Sequence, residues 1–511
     1  MSVQQVAILL NETIGTISPY LHGEFAEHLG ECIYPGIWVG EGSTIPNING
    51  IRQDVVEALR PLEIPVLRWP GGCFADAYHW RDGIGARSQR PLRVNYHWGK
   101  APESNHFGTH EFIEFCRLIG TEPYLVGNVG SGTPSELRDW VEYCNFAGNS
   151  SLANERRANG APEPFGVRFW GVGNENWGCG GNMDPEYYAA EFARFRTFLF
   201  DYSDTPIHAI ACGAAGNDWH WTWKFLDTLR RKHWNRMHLV QSLAAHYYCG
   251  TAGTATQFTE EQWLELLCRA YVMEGIILGH RTTMDELDPD RRIHLIVDEW
   301  GAWHPVEPGK PSSGLYQQNT MRDAHVAAIT LDVFHRHCDK VYMGNIAQLI
   351  NVLQSLLLVE EDRCIKTPTY YVWQLYAPHK GGSAVRFESL AERISDGGVS
   401  RDHCKSSYLQ RSFNGLQCIT GSASVKDRTL CVTMTNNHPS RPCEVRLTLV
   451  GAQVKEASMA VLVADDIRAH NTFEQPDRVK PSAPRPIPAA GDTLQVEAPA
   501  ASVIQVLCSL G

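Results

Sequence analysis

The chain has 511 residues, a formal net charge of −12 and 43% hydrophobic residues. This length exceeds one typical domain, and the composition suits a globular protein with a sizeable buried core. The acidic balance argues against nucleic acid or an anionic membrane surface as a partner, and no apolar run reaches the roughly 18 residues of a spanning helix.

The N-terminus lacks a basic segment followed by a long apolar run, so no signal peptide is expected. Fifteen cysteines at scattered spacing show neither a disulfide nor a zinc pattern. They read as reduced thiols in a cytoplasm, with Cys73 and Cys179 as small packing residues. Residues 3–10 alternate loosely as a strand. Candidate barrel strands follow at 20–23, 66–69, 124–129, 168–173, 208–212, 242–247, 294–298 and 341–345. Helical patterns lie between them at 52–62, 110–119, 135–146, 185–200, 221–231, 260–278 and 316–337. Eight strands alternating with helices point to an α/β fold, a (β/α)8 TIM barrel. The long loop 73–98 is rich in aromatics and arginine, which marks it as functional rather than disordered. Beyond residue 380 the texture becomes short β-rich runs at 416–420, 430–435, 443–449, 457–463, 493–496 and 503–507, which read as a C-terminal β-sandwich, jelly-roll-like. The expected division is residues 1–18 as a strand joining the sandwich, 19–380 as the catalytic barrel and 381–511 as the sandwich.

Two strand ends carry chemistry. The apolar stretch 168–173 stops at Asn174-Glu175-Asn176-Trp177, and 294–298 stops at Glu299-Trp300. A carboxylate just past a buried strand, among apolar neighbours, suits proton donation near neutrality. The plain alternative for Glu175 is a loop carboxylate capping the next helix. Two such glutamates from different strands fit a barrel that gathers its catalytic groups at one face. Paired carboxylates are the machinery of glycoside hydrolysis, in which one donates a proton and the other attacks or activates water.

Four motifs sharpen this reading. They are Gly171-Val172-Gly173-Asn174-Glu175-Asn176-Trp177-Gly178, Leu67-Arg68-Trp69-Pro70-Gly71-Gly72-Cys73-Phe74-Ala75-Asp76, Gly23-Glu24-Phe25-Ala26-Glu27-His28-Leu29-Gly30 and Asn345-Ile346-Ala347-Gln348-Leu349-Ile350-Asn351. Taken together, and in their order along the chain, they resemble glycoside hydrolase family 51, the α-L-arabinofuranosidases of the clan A retaining glycosidases. The resemblance implies Glu175 as general acid/base and Glu299 as nucleophile. Asn174 would bond the hydroxyl next to the anomeric carbon. Glu27, Arg68, Cys73, His246, Tyr248 and Gln348 would line the pocket, with Trp98 and Trp177 as walls. It further implies retaining, exo-acting release of terminal α-L-arabinofuranosyl residues from arabinan, arabinoxylan or their oligosaccharides, with no metal or organic cofactor. A cytoplasmic homo-oligomer, a hexamer, is the implied assembly.

Several of these residues have structural alternatives, and Glu27 could be a solvated loop carboxylate. Arg68 could be a barrel ion-pair partner, His246 a satisfied core histidine, Tyr248 a packed ring and Gln348 a strand-end cap. Asp298 is expected to point away from Glu299, because successive residues of a strand alternate faces. Glu24 and Glu31 are expected to be solvated. The competing functions are another retaining clan A glycosidase (endoglucanase or β-xylosidase), a non-catalytic carbohydrate-binding protein, and a metalloenzyme, for which no compact ligand cluster stands out.

Overall fold

The computed structural model describes residues 3–231, 234–250, 252–395 and 415–511. Eight parallel strands close into a barrel: β1 Gly23–Phe25, β2 Val66–Trp69, β3 Glu122–Gly127, β4 Phe169–Val172, β5 His208–Ala215, β6 Ser242–Gly250, β7 His294–Trp303 and β8 Val341–Ala347. The helices among the described residues are α1 Gln53–Leu59, α2 Thr109–Ile119, α3 Pro134–Asn145, α4 Ser151–Ala158, α5 Pro185–Arg196, α6 Trp219–Arg231, α7 Glu260–Leu287, α8 Met321–Arg336 and α9 Pro368–Tyr376.

Side-chain alternation explains the barrel. In β2, Val66 enters the interior cluster with Tyr124, Phe169, Ile210, Ala244, Ile296 and Met343. Leu67 and Trp69 face the surrounding helices, which leaves Arg68 pointing inward. Gly171 pairs with Val126 across the β3–β4 ladder, and an added methyl there would lie 3.2 Å from the Tyr124 phenol oxygen.

Helix starts follow their caps. Thr133 accepts from Glu136 N before α3, with Pro134 at the first position. Thr320 and Asp323 form a capping box, so α8 begins at Met321 and the expected start at 316 is too early. The expected helix end at 278 is too early as well. α7 runs past Gly279, whose missing side chain admits Trp219. The first strand also shifts: Pro19–His22 is a 3-10 turn, and β1 is Gly23–Phe25.

A separate ten-stranded sheet contains Val3–Thr16 between Ser383–Ser389 and Cys443–Val450, antiparallel to the first and parallel to the second. Residues from opposite ends of its strand order share one core, and Val454 N bonds Gly491 O at 2.8 Å, so the sheet closes over itself as a sandwich. Helix α8 is buried along Met321–His335, lying between the barrel and this sheet. No helix among the described residues is long and apolar enough to cross a membrane.

Candidate active site

Arg68 links the ends of β4 and β7, through Asn174 and Glu299. Its Nη1 donates to Glu299 Oε1 at 2.8 Å and its Nη2 to Asn174 Oδ1 at 2.5 Å. Its Nε lies 3.4 Å from Asp298 Oδ2, and its guanidinium stacks 4.6 Å from the Phe25 ring centre. A buried, unpaired guanidinium would be costly. Burial does pull its pKa down, but Asp298 and Glu299 outweigh that and keep it charged.

Beyond β4 the chain turns at Gly173 (φ +87°), and Glu175 follows in the left-handed region at φ +41°. A non-glycine residue there costs on the order of 1–3 kcal/mol and must be held in place. Gly178 N and Gly180 N both donate to Glu175 O, at 2.7 and 3.1 Å. Its side-chain Oε1 meets His246 Nδ1 at 2.9 Å, while His246 Nε2 meets Asp298 Oδ1 at 3.1 Å. Glu299 Oε2 lies 3.6 Å from His246 Nδ1 and accepts from the Tyr248 hydroxyl at 2.9 Å. Burial alone would discharge His246. The carboxylates of Glu299, Asp298 and Glu175 outweigh it and raise its pKa to about 10, so it is an imidazolium at neutral pH. Asp298 responds in the opposite sense: burial raises its pKa, but Arg68, His246 and Tyr124 bring it down to about 2.

Glu27 forms the far wall. Its Oε1 accepts from Phe74 N at 3.0 Å and Trp98 Nε1 at 2.9 Å, and its Oε2 accepts from Gln348 Nε2 at 3.2 Å. Burial and the nearby Glu299 push its pKa up to about 7. A methyl at Gly72 would sit 2.8 Å from Glu299 Oε1. The bare backbone after β2 therefore lets these carboxylates converge. Trp177 is half-buried beside Glu175, and the Trp303 ring stands edge-on to Tyr248 at 5.2 Å.

Four expectations require correction. Asp298 faces inward with Glu299, because the β6–β7 and β7–β8 registers shift just before the nucleophile candidate and break strict alternation. Glu24 is fully buried, not solvated; desolvation pushes its pKa well above the carboxylate range. Glu31 is exposed. Cys73 and Cys179 form a disulfide with Cα atoms 5.5 Å apart, joining the loops after β2 and β4. Finally, a compact ligand set does exist: single atoms of Glu175, His246 and Glu299 lie within 4.8 Å of one another. Both nitrogens of His246 already face carboxylates, Nδ1 that of Glu175 and Nε2 that of Asp298.

Sequence reasoning also missed Tyr124, whose hydroxyl donates to Asp298 Oδ2 at 2.7 Å. It gave Asp76 no role, although that residue closes a quoted motif.

Comparison with known proteins completes the picture. A model for the α-L-arabinofuranosidase 1 domain matches residues 58–260, and one for the α-L-arabinofuranosidase C-terminal domain matches 298–502. An intracellular exo-α-L-arabinofuranosidase of Bacteroides ovatus is 42% identical over 95% of this chain and 91% of its own length. The chain belongs to glycoside hydrolase family 51. In the crystal structure of the family 51 arabinofuranosidase from Xanthomonas axonopodis pv. citri, the fold superposes with a TM-score of 0.92 at 39% identity, covering 99% of this chain and all of the other. An arabinose complex of the Thermotoga maritima α-L-arabinofuranosidase superposes at 0.85 and 29% identity, over 99% of both chains. This glycoside hydrolase thus carries the family's (β/α)8 barrel and C-terminal sheet.

Proposed function

We infer that this glycoside hydrolase is an exo-acting, retaining α-L-arabinofuranosidase, with Glu299 as nucleophile and Glu175 as general acid/base. The observation that carries this reading is that the two carboxylates converge on one atom: Glu175 Oε1 and Glu299 Oε2 lie 2.9 and 3.6 Å from His246 Nδ1. Inverting pairs stand roughly 6.5–9.5 Å apart to admit water, whereas a nucleophile that bonds the sugar sits about 5–5.5 Å from the acid.

The surroundings separate the roles. Arg68 and Tyr248 each donate to a different oxygen of Glu299. Both bonds aim that carboxylate, as a nucleophile requires. Among the described residues neither of these donors reaches Glu175, whose Oε1 meets His246 Nδ1 instead. Glu299 attacks the anomeric carbon as the glycosidic bond breaks, and Glu175 delivers a proton to the departing oxygen. A covalent arabinosyl–Glu299 ester results. Glu175 then removes a proton from water, which displaces Glu299 from the same face the leaving group left. Asn174, held by Arg68, would bond the neighbouring hydroxyl. Glu27, Gln348, Cys73, Trp98 and Trp177 would enclose the single ring.

The substrate follows from the relatives' names together with the crowded pocket: terminal non-reducing α-L-arabinofuranosyl residues of arabinan, arabinoxylan or their oligosaccharides. We also propose a cytoplasmic homo-oligomer. The relative named intracellular supports the compartment. Exposed Leu92, Val94 and Tyr96, which recur at alternate positions, support a self-associating face; light scattering after size exclusion reads the assembly directly. The function itself is tested on branched arabinan. Free arabinose should be the first product. A rapid fall in viscosity with no monosaccharide would replace this reading with an endo-acting glycosidase.

A further inference from the structure

Asp76 lies buried against the turn that carries Glu175, and its carboxylate is met only by donors. Its Oδ1 accepts from Val129 N and Gly130 N, both at 2.7 Å. Its Oδ2 accepts from Asn174 N at 2.7 Å and from Asn176 Nδ2 at 3.3 Å. Among the described residues it forms no ion pair; its charge is balanced by N–H groups alone. A methyl at Gly180 would approach Oδ2 to 2.5 Å, so the loop after β4 is kept bare to fit around it. Burial pushes Asp76 up to about 7, while the four donors favour the ionised form. A protonated carboxyl would have to aim its own O–H at one of those donors.

The turn needs such a clamp. Glu175 occupies a left-handed conformation, and the residues on either side of it are fixed from opposite directions: Asn174 N by Asp76, and Asn176 N by Cys212 Sγ at 3.2 Å. Asp76 also ties this turn to the loop after β3 through Val129 and Gly130. A carboxylate serves here better than an amide because all four partners donate.

We propose that Asp76 is a positioning residue for the proton donor. It sets the backbone at Asn174 and the side chain of Asn176, and through them the direction in which Glu175 presents its carboxyl to the leaving group. Asp76 touches no reacting atom, and the proposal rests on the reading of Glu175 as acid/base. Its loss should therefore weigh most on the step that delivers a proton. A displacement of about 1 Å in a catalytic group can cost on the order of 100-fold in rate.

The test compares Asp76→Asn with wild type on two substrates. One is an arabino-oligosaccharide, whose leaving group needs a proton. The other is 2,4-dinitrophenyl α-L-arabinofuranoside, whose leaving group does not. In Asp76→Asn an NH2 group faces N–H donors. We expect kcat/KM on the oligosaccharide to fall about 100-fold, with a much smaller fall on the dinitrophenyl glycoside, so that the ratio between substrates rises. Near-UV circular dichroism and melting report folding. Should Asp76→Asn not fold, Asp76→Glu keeps the acceptors but displaces them by one methylene, and the same rise in ratio is expected. Equal losses on both substrates, or none, would reduce Asp76 to a structural residue and overturn the proposal. Glu175→Ala on the same pair tests the underlying reading separately. If that variant shows no leaving-group sensitivity, the acid assignment fails whatever Asp76 does.

Discussion

At neutral pH His246 carries a proton because three carboxylates outweigh the desolvation of its ring. The consequence is a pH-dependent stability whose sign follows from linkage. The folded pKa, about 10, exceeds the ordinary 6.5. Its contribution is therefore complete below 6.5 and lost as pH rises through 10. Asp298, held at about 2 against an ordinary 3.8, contributes above 3.8 and loses that contribution as pH falls through 2. Comparing melting temperatures of wild type and His246→Gln from pH 6 to pH 10 checks this: the gap should be widest at pH 6 and shrink towards pH 10. A constant gap would contradict the charged imidazole. At this scale the sequence revealed Glu175 and Glu299 by their place at strand ends. Asp298 stayed hidden because pleat alternation is blind to a register shift, and the disulfide because pairing Cys73 with Cys179, 106 residues apart, requires the barrel to be closed first.

Among the elements, β7 does the most to shape the site. The shift before Glu299 turns two successive acids inward, and Gly301, two residues on, holds φ +147°. Side chains rarely adopt that conformation, while a methyl there would only touch Ala347 O, at 3.4 Å. Gly301→Ala should cost on the order of 1–3 kcal/mol in denaturant unfolding. It should also lower kcat, since Tyr248 pairs with Gly301 across the β6–β7 ladder. Unchanged stability would mean that β7 relaxes freely. Regular elements were legible where periodicity was strong: β2 matches its expected bounds, and α3 begins at a proline after a threonine cap. Their ends were legible only where a cap reads clearly. Thr320 and Asp323 could have placed the start of α8. Gly279 gives no local sign that a tryptophan from another helix takes its side-chain space.

In the whole molecule, α8 couples the barrel to the sheet. Asp332 Oδ1 accepts from Ser422 Oγ at 2.7 Å and Thr433 Oγ1 at 3.2 Å, and His335 Nδ1 meets Ser422 Oγ at 2.9 Å. The main hydrophobic core also includes Leu462, Val479 and Val503 from the sheet side. Truncation after Lys380 would expose this face, so the shortened chain should aggregate, and calorimetry of the full chain should show one transition. Two separable transitions would contradict the shared core. The β texture beyond residue 415 was readable from its short alternating runs. The parallel pairing of Val3–Leu9 with Glu444–Val450 has no sequence signature, because partners so distant meet only through the finished fold.

The division of labour between the two glutamates is tested most directly by azide. Glu175→Ala lacks the base for the second step, so the arabinosyl ester on Glu299 should accumulate with an activated substrate. Azide needs no base. It should restore turnover in Glu175→Ala and give arabinofuranosyl azide with retained configuration, resolved by NMR. Rescue of Glu299→Ala instead, with an inverted azide, or no rescue of Glu175→Ala at all, would contradict the assignment of acid and nucleophile.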